Sequence, residues 1–543
     1  MTLKRIILSV LTLLVAWVMG QSLISSFSEP QVGSQLQLYQ TDLIVQASDW
    51  DGSGLPEAEV SQFRSAVFGK DAIETATEQY QEVRKDAIAG LSRIQQQLDS
   101  TSEIDAERNQ SLLSTAQSQQ ALIDKIDLRL GMVQVQQGNI DQALATWRSL
   151  IDQPSTNAKI AAVLNDLWQT PPVITTDTKP TIETQLSGWY RYTALNRLYT
   201  VQNKADRLAQ LNVKEAQAAQ QTLIQLSIVG LLPSLGALFG SALLIALVGQ
   251  RFLRGKASIL AVSDGQWTVP WDWEVIWLVV VGGFLFVGQF ALPLVLQLGL
   301  LITQSATLQP VAGWVAAVFS KAHSVDIGLA DIGLADIGLA STGLILGLSS
   351  RGKALYSLVF YLLMAASTLG VLYWAIKEYL PLPKEWFRAR LAGRWPLWGL
   401  GGYLVALPLM LGVSLLNQQI WQGQGGNNPI LQLVLEERDP VALGMFLFTA
   451  AVAAPVFEEI LFRGFLLPSL TRYMSTWGAI GLSSLIFSVA HLSFSEVLPL
   501  TVLGAILGFV YARSQNLMSS ILLHSAWNSI TMIGLFLLGS VSR

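Results

Sequence analysis

The chain has 543 residues, 51% of them hydrophobic and 13% charged, about half the charged share of an average soluble domain. A net charge of -4 and the absence of cysteine exclude a basic surface for a phosphate backbone, disulfides, thiolate nucleophiles, Cys-ligated zinc and iron-sulfur clusters. The charge is also unevenly spread: residues 27–220 hold 40 charged side chains and the longer stretch 221–543 only 30, so the first block suits water and the second suits lipid.

At the N-terminus, Lys4 and Arg5 precede an apolar run from Ile6 to Met19. Residues 1–26 therefore read as a signal peptide or an uncleaved signal anchor. Either way the positive end stays in the cytoplasm and residues 27–220 are exported. From about residue 70 to 220 the chain is rich in Gln, Ala, Leu and Glu, which favours helices. Within this block, near 127–152, Gly131, Gly138, Ala143 and Trp147 follow the pattern of one tetratricopeptide-like helical hairpin, with glycine where two helices approach. Only one clear copy is present, so a generic hairpin in an exported helical domain fits equally well. Such a domain is a place for a protein partner to bind.

Eight apolar runs long enough to span about 30 Å of hydrocarbon follow, near 223–250, 275–302, 354–376, 396–416, 441–470, 476–494, 496–513 and 516–540. If the first starts outside, Arg251, Arg254, Lys256, Lys377, Lys384, Arg388, Arg390 and Arg394 fall inside. Lys321, Arg351, Lys353 and Arg438 then fall outside, in keeping with the positive-inside rule. The expected fold is thus an all-α, polytopic membrane protein, with residues 221–430 as accessory spans. Between the second and third runs stands a tandem repeat of Asp-Ile-Gly-Leu-Ala beginning at Asp326, Asp331 and Asp336. Three copies are too few for a solenoid core, so it reads as loop, and His323 beside it as a surface histidine.

Ionisable groups inside membrane helices cost about 2.5–3.5 kcal/mol each on insertion scales and mark function by default. Three clusters qualify: Glu458, Glu459 and Arg463; Phe487 and His491; His524 and Asn528. Glu459 and Arg463 are four apart and share a helix face, whereas Glu458 points about 100° away. The spacing assigns Glu459 to Arg463 as its charge partner and leaves Glu458 free to act on a proton. At 1.5 Å per residue, Glu458, His491, His524 and Asn528 lie about 18, 22, 12 and 18 Å from the predicted cytoplasmic face. A carboxylate, two imidazoles and an amide near one depth suit hydrolysis: a base for water and donors for an oxyanion.

In order and spacing, Glu-Glu-x-x-x-Arg, Phe-x-x-x-His and His-x-x-x-Asn resemble the CPBP family. These are the CAAX-protease and bacteriocin-processing (Abi) intramembrane proteases, related to the type II CAAX prenyl endopeptidases. The resemblance covers about residues 440–535. It implies a helical membrane endopeptidase in which Glu458 and His491 activate water while His524 and Asn528 stabilise the oxyanion. It also implies a peptide or membrane-protein substrate presented near the cytoplasmic side of the bilayer, and the signal-bearing start suggests a bacterial source. No H-E-x-x-H helix occurs. Metal-free hydrolysis is the favoured reading, with zinc on Glu458, His491 and His524 as the alternative.

Other chemistries remain open at this level. Ser484, Ser488 and Ser525 lie near the clusters, yet no G-x-S-x-G elbow occurs. A non-proteolytic membrane scaffold would use Glu459 and Arg463 as a structural ion pair, and a proton-coupled transporter would use the Glu and His side chains as a relay. Transporters usually carry internal repeats and broken helices; Pro233, Pro293 and Pro408 interrupt helices here, but the spans show no two-fold repetition.

Overall fold

The computed structural model describes residues 2–27, 33–50, 71–100, 106–152, 155–296, 349–421, 425–426, 434, 437 and 439–541. The Asp-Ile-Gly-Leu-Ala repeat, His323, and residues 297–302 of the second expected span lie outside the described residues. Described residues are helical with no strand, and they divide into two compact units. One comprises 1–27, 235–421 and 425–533; the other is built chiefly of 28–234.

The N-terminal helix α1 (Leu3–Ser26) is long and apolar enough to cross a membrane. The second unit contains α2 (Gly33–Ser48), α3 (Ala72–Ser100), α4 (Ala106–Gln136), α5 (Ile140–Ile151), α6 (Ala158–Trp168), α7 (Thr178–Gln185) and α8 (Gly188–Val201). Helix α5 buries Ala143, Leu144, Trp147 and Leu150, the apolar stripe of a 3.6-residue period. Gly138 turns the chain between α4 and α5 at φ +82°, and a Cβ on Gly131 would fall 2.3 Å from the Trp147 indole nitrogen. Helices α4 and α5 form a hairpin whose first helix, at 31 residues, is almost as long as a whole tetratricopeptide repeat of about 34.

A buried polar network ties four of these helices together. Asp42 of α2 accepts hydrogen bonds from Tyr80 (2.8 Å), Tyr190 (2.9 Å) and Arg129 (2.6 Å). Those three donors come from α3, α8 and α4. Asp42 and Arg129 are almost fully buried, so the pair survives only because both partners are present.

Helix α9 runs without a break from Ala205 to Ala257, through a π-helical turn at Ser227–Leu231. The remaining helices are α10 (Trp273–Leu296), α11 (Ser350–Tyr379), α12 (Trp395–Trp421), α13 (Pro440–Leu470), α14 (Thr476–Val489), α15 (Phe494–Ser514) and α16 (Leu517–Val541). Among the described residues eight helices are long and apolar enough to span a bilayer: α1, α9 to α13, α15 and α16. Their outer faces carry large exposed apolar side chains, Leu238, Phe239, Ile245 and Leu397 among them, each more than 60% exposed. This is a multi-pass helical membrane protein. Close backbone approach needs glycine at one crossing: a Cβ on Gly240 of α9 would sit 1.8 Å from the Leu404 carbonyl oxygen of α12.

The expected span at 476–494 is corrected. Helix α14 stops at Val489 after 14 residues, about 21 Å of rise against about 30 Å of hydrocarbon. Residues Ala490 to Ser493 form a turn with Leu492 at φ +58°. The chain breaks here because polar side chains have better partners outside a helix. Ser493 Oγ donates to the Gly425 carbonyl (3.0 Å) and Ser495 N–H to the same oxygen (3.1 Å). Non-helical backbone at this depth is tolerated where protein satisfies it. His491 therefore sits beyond a helix end, not within a helix.

Hydrogen bonds sort the connections into two sets. In the first, Asp264 accepts from Thr476 N–H (2.7 Å), Trp386 donates to the Thr268 carbonyl (2.9 Å) and Arg513 to the Ile259 carbonyl (2.8 Å). Arg5 joins this set through Glu274 (2.7 Å). In the second, Ser26 accepts from Phe494 N–H (3.2 Å), Ser493 reaches Gly425, and Arg351 pairs with Asp439.

Candidate active site

Two helices and one helix end build the site. In α13 the backbone widens into π-helix at Thr449–Ala453 and again at Glu459–Leu466, an arrangement frequent at functional sites. Glu458 is the last residue before the second widened turn, and Glu459 is its first.

Glu459 and Arg463 are fully buried and paired, with Arg463 Nη1 2.9 Å from Glu459 Oε1. Arg463 Nη2 donates onward to the Gly504 carbonyl of α15 (3.1 Å), and the guanidinium lies 4.7 Å from the centre of the Phe487 ring. The ion pair thus links α13 to α14 and α15. From α16, His524 brings Nδ1 to 2.9 Å from Glu459 Oε1. A carboxylate acceptor there means that Nδ1 carries a proton, and Nε2 points elsewhere, 3.8 Å from Glu458 Oε2.

Glu458 is only partly covered, its side chain 13% exposed. Its Oε1 accepts a hydrogen bond of 2.6 Å from the Tyr361 hydroxyl of α11. His491, half-buried, donates through Nδ1 to the Phe487 carbonyl, 2.9 Å away. A carbonyl can only accept, so Nδ1 carries the proton and Nε2 is left with its lone pair. Phe487 is the floor of the site: its ring centre lies 4.9 Å from that of His491 and 6.0 Å from that of His524. Asn528, one turn beyond His524, donates through Nδ2 to the Ala450 carbonyl of the first widened turn (2.7 Å). One amide N–H remains for another acceptor.

Glu458, Glu459, Arg463 and His524 are therefore in one contact cluster, His491 joins it across Phe487, and Asn528 flanks it against Ala450. Among the described residues no three His, Cys, Asp or Glu side chains gather closely enough to hold a metal ion. Glu458, His491 and His524 are not such a group.

Two contributors escape a search for ionisable groups. Tyr361 lies in an expected accessory span. Gln289 of α10 donates to the Ala490 carbonyl, 3.1 Å away, beside His491. Gln289 is the only side-chain amide between Trp273 and Leu296, a signal that polar cost in lipid could have flagged.

Part of the sequence is similar to known proteins. Residues 440–530 match the family model for type II CAAX prenyl endopeptidase Rce1-like proteins. That segment has the resemblance the three motifs announced. Relatives include a putative membrane peptidase, YdiL, of Bacillus subtilis, 26% identical over 25% of this chain and 55% of that protein. The membrane-embedded CAAX protease MroQ of Staphylococcus aureus is 26% identical over 25% of this chain and 56% of its own length. The UPF0177 protein YxdF of Lactococcus lactis is 32% identical over 15% and 45%. The chain spans about half the length of these curated relatives. No solved structure matches it.

Proposed function

We propose that this protein is an intramembrane endopeptidase that hydrolyses peptide bonds with water activated by Glu458. The observation that carries the reading is the unequal treatment of two adjacent glutamates within the matched segment. Glu459 is spent on Arg463 and His524, whereas Glu458 keeps one oxygen directed at His524 Nε2 without a hydrogen bond.

In the proposed reaction, Glu458 Oε2 takes a proton from a water held by His491 Nε2, and the resulting hydroxide attacks the peptide carbonyl carbon. His524, protonated on both nitrogens, keeps Nδ1–H on Glu459 and offers Nε2–H to the oxyanion, with the second N–H of Asn528 beside it. Glu458 then passes its proton to the amide nitrogen as the C–N bond breaks. No metal is needed for this balance.

The two sets of connections support one topology. Lys4, Arg5, Lys377, Arg388, Arg472 and Arg513 belong to the first set or to the helix ends beside it, and Arg351 of the second is paired with Asp439. By the positive-inside rule the first set is cytoplasmic. Residues 27–220 are then extracytoplasmic, available to recruit a protein partner. The substrate is a peptide or a membrane-protein terminus that reaches the site from the cytoplasmic side.

The test compares wild type with Glu458→Gln on a quenched peptide library in detergent, with and without chelator. Expected are hydrolysis by wild type, its loss in Glu458→Gln and no response to chelator. Full hydrolysis by Glu458→Gln would overturn the mechanism. Loss with chelator and recovery with zinc would replace it with a metal-dependent one.

A further inference from the structure

We infer that Tyr361, on helix α11 outside the family-matched segment, is a positioning residue that holds the Glu458 carboxylate so that Oε2 is the oxygen acting on water. The inference rests on the reading of Glu458 as the base.

A carboxylate has two equivalent oxygens, and rotation about its last bond interchanges them. In a site that works in one direction this freedom has to be removed. The Tyr361 hydroxyl lies 2.6 Å from Glu458 Oε1, and because the ionised carboxylate only accepts, the phenol is the donor. Oε1 is thereby engaged, and Oε2 is turned to the His524 side, 3.8 Å from Nε2. The phenol is itself held: its ring packs edge-on against Phe457, centroids 6.0 Å apart at 82°. Phe457 in turn meets Phe284 of α10 at 6.0 Å. Three helices therefore fix one hydroxyl, and two of them come from the stretch that sequence alone assigns to accessory spans.

Tyr361 touches neither the scissile bond nor the oxyanion donors. Its removal should leave the substrate's ground-state contacts intact and slow the chemical step. One hydrogen bond to a charged group corresponds to about a 10- to 100-fold loss.

The experiment selects one cleaved peptide from the library and measures kcat and KM for wild type, Tyr361→Phe and Glu458→Gln, with thermal melting of each in the same detergent. The expected result is a kcat about 10- to 100-fold lower for Tyr361→Phe, with KM and melting unchanged. A raised KM at wild-type kcat would overturn the inference, because Tyr361 would then be a substrate contact. Wild-type kcat in Tyr361→Phe beside an inactive Glu458→Gln would overturn it too, while leaving the proposed reaction standing. Full activity in Glu458→Gln would remove both. A second readout needs no turnover: the carboxylate infrared band isolated by subtracting Glu458→Gln from wild type should move in Tyr361→Phe, and an unmoved band contradicts the contact.

Discussion

His524 joins two neighbouring glutamates, with Nδ1 2.9 Å from Glu459 Oε1 and Nε2 3.8 Å from Glu458 Oε2. Adjacent residues of one helix thus meet opposite nitrogens of one ring. The two carboxylates should part company when each is neutralised. Glu459→Gln strands the buried Arg463 guanidinium and should cost about 3–5 kcal/mol of stability. Glu458→Gln gives up only the longer 3.8 Å approach to His524 Nε2, leaves Arg463 paired, and should melt within about 1 kcal/mol of wild type, yet be inactive. Thermal melting of both variants in one detergent reads the difference, and equal melting would refute the division.

His491 is fixed by a backbone carbonyl at the end of α14, not by a buried charge. His491→Ala should therefore lower hydrolysis by at least about 100-fold, the usual share of an acid-base group, and leave the melting temperature almost unchanged. A variant that unfolds instead would make the histidine structural.

Gln289 holds the turn that carries His491 through its bond to the Ala490 carbonyl. Gln289→Leu should lower kcat about tenfold, the value of about 1.4 kcal/mol from one lost hydrogen bond. It should also raise amide hydrogen exchange at Ala490 to Ser493. Unchanged exchange would show that the turn does not depend on α10.

Asp264, in the connection between α9 and α10, is held below the usual aspartate range by the Thr476 backbone N–H and then by the Thr476 side chain. A depressed carboxylate adds stability that is present above its unfolded value, about 3.9, and is lost as pH falls through the folded one. The melting-temperature gap between wild type and Asp264→Asn should hold steady from about pH 7 to 5 and close below about pH 4. A gap unchanged at about pH 3 would show that the carboxylate charge is not what caps α14.

In the other unit, Asp42→Ala removes the acceptor shared by Tyr80, Tyr190 and Arg129. Breaking one buried ion pair costs about 3–5 kcal/mol, so protection against hydrogen exchange should collapse in α2 and α4. Retained protection would mean that apolar packing alone carries this unit.

Much of this architecture was legible in the residues. Long apolar runs need helices because lipid offers the backbone no partner, and the i, i+4 spacing of Glu459 and Arg463 already set them on one face. What escaped reading depends on contacts between segments far apart in the chain. Nothing in the run 476–494 says that Ser493 prefers the Gly425 carbonyl to a helix. Tyr361 likewise looks like any tyrosine in a span, and only the packing of α11 on α13 gives it Glu458 as a neighbour.

The early stop of α14 has one more consequence. The turn that follows it is held by segments far away in the chain, Gln289 on the Ala490 carbonyl and the Gly425 carbonyl on Ser493. A substitution in either of those segments would therefore reach the backbone around His491 without touching the helix that leads to it.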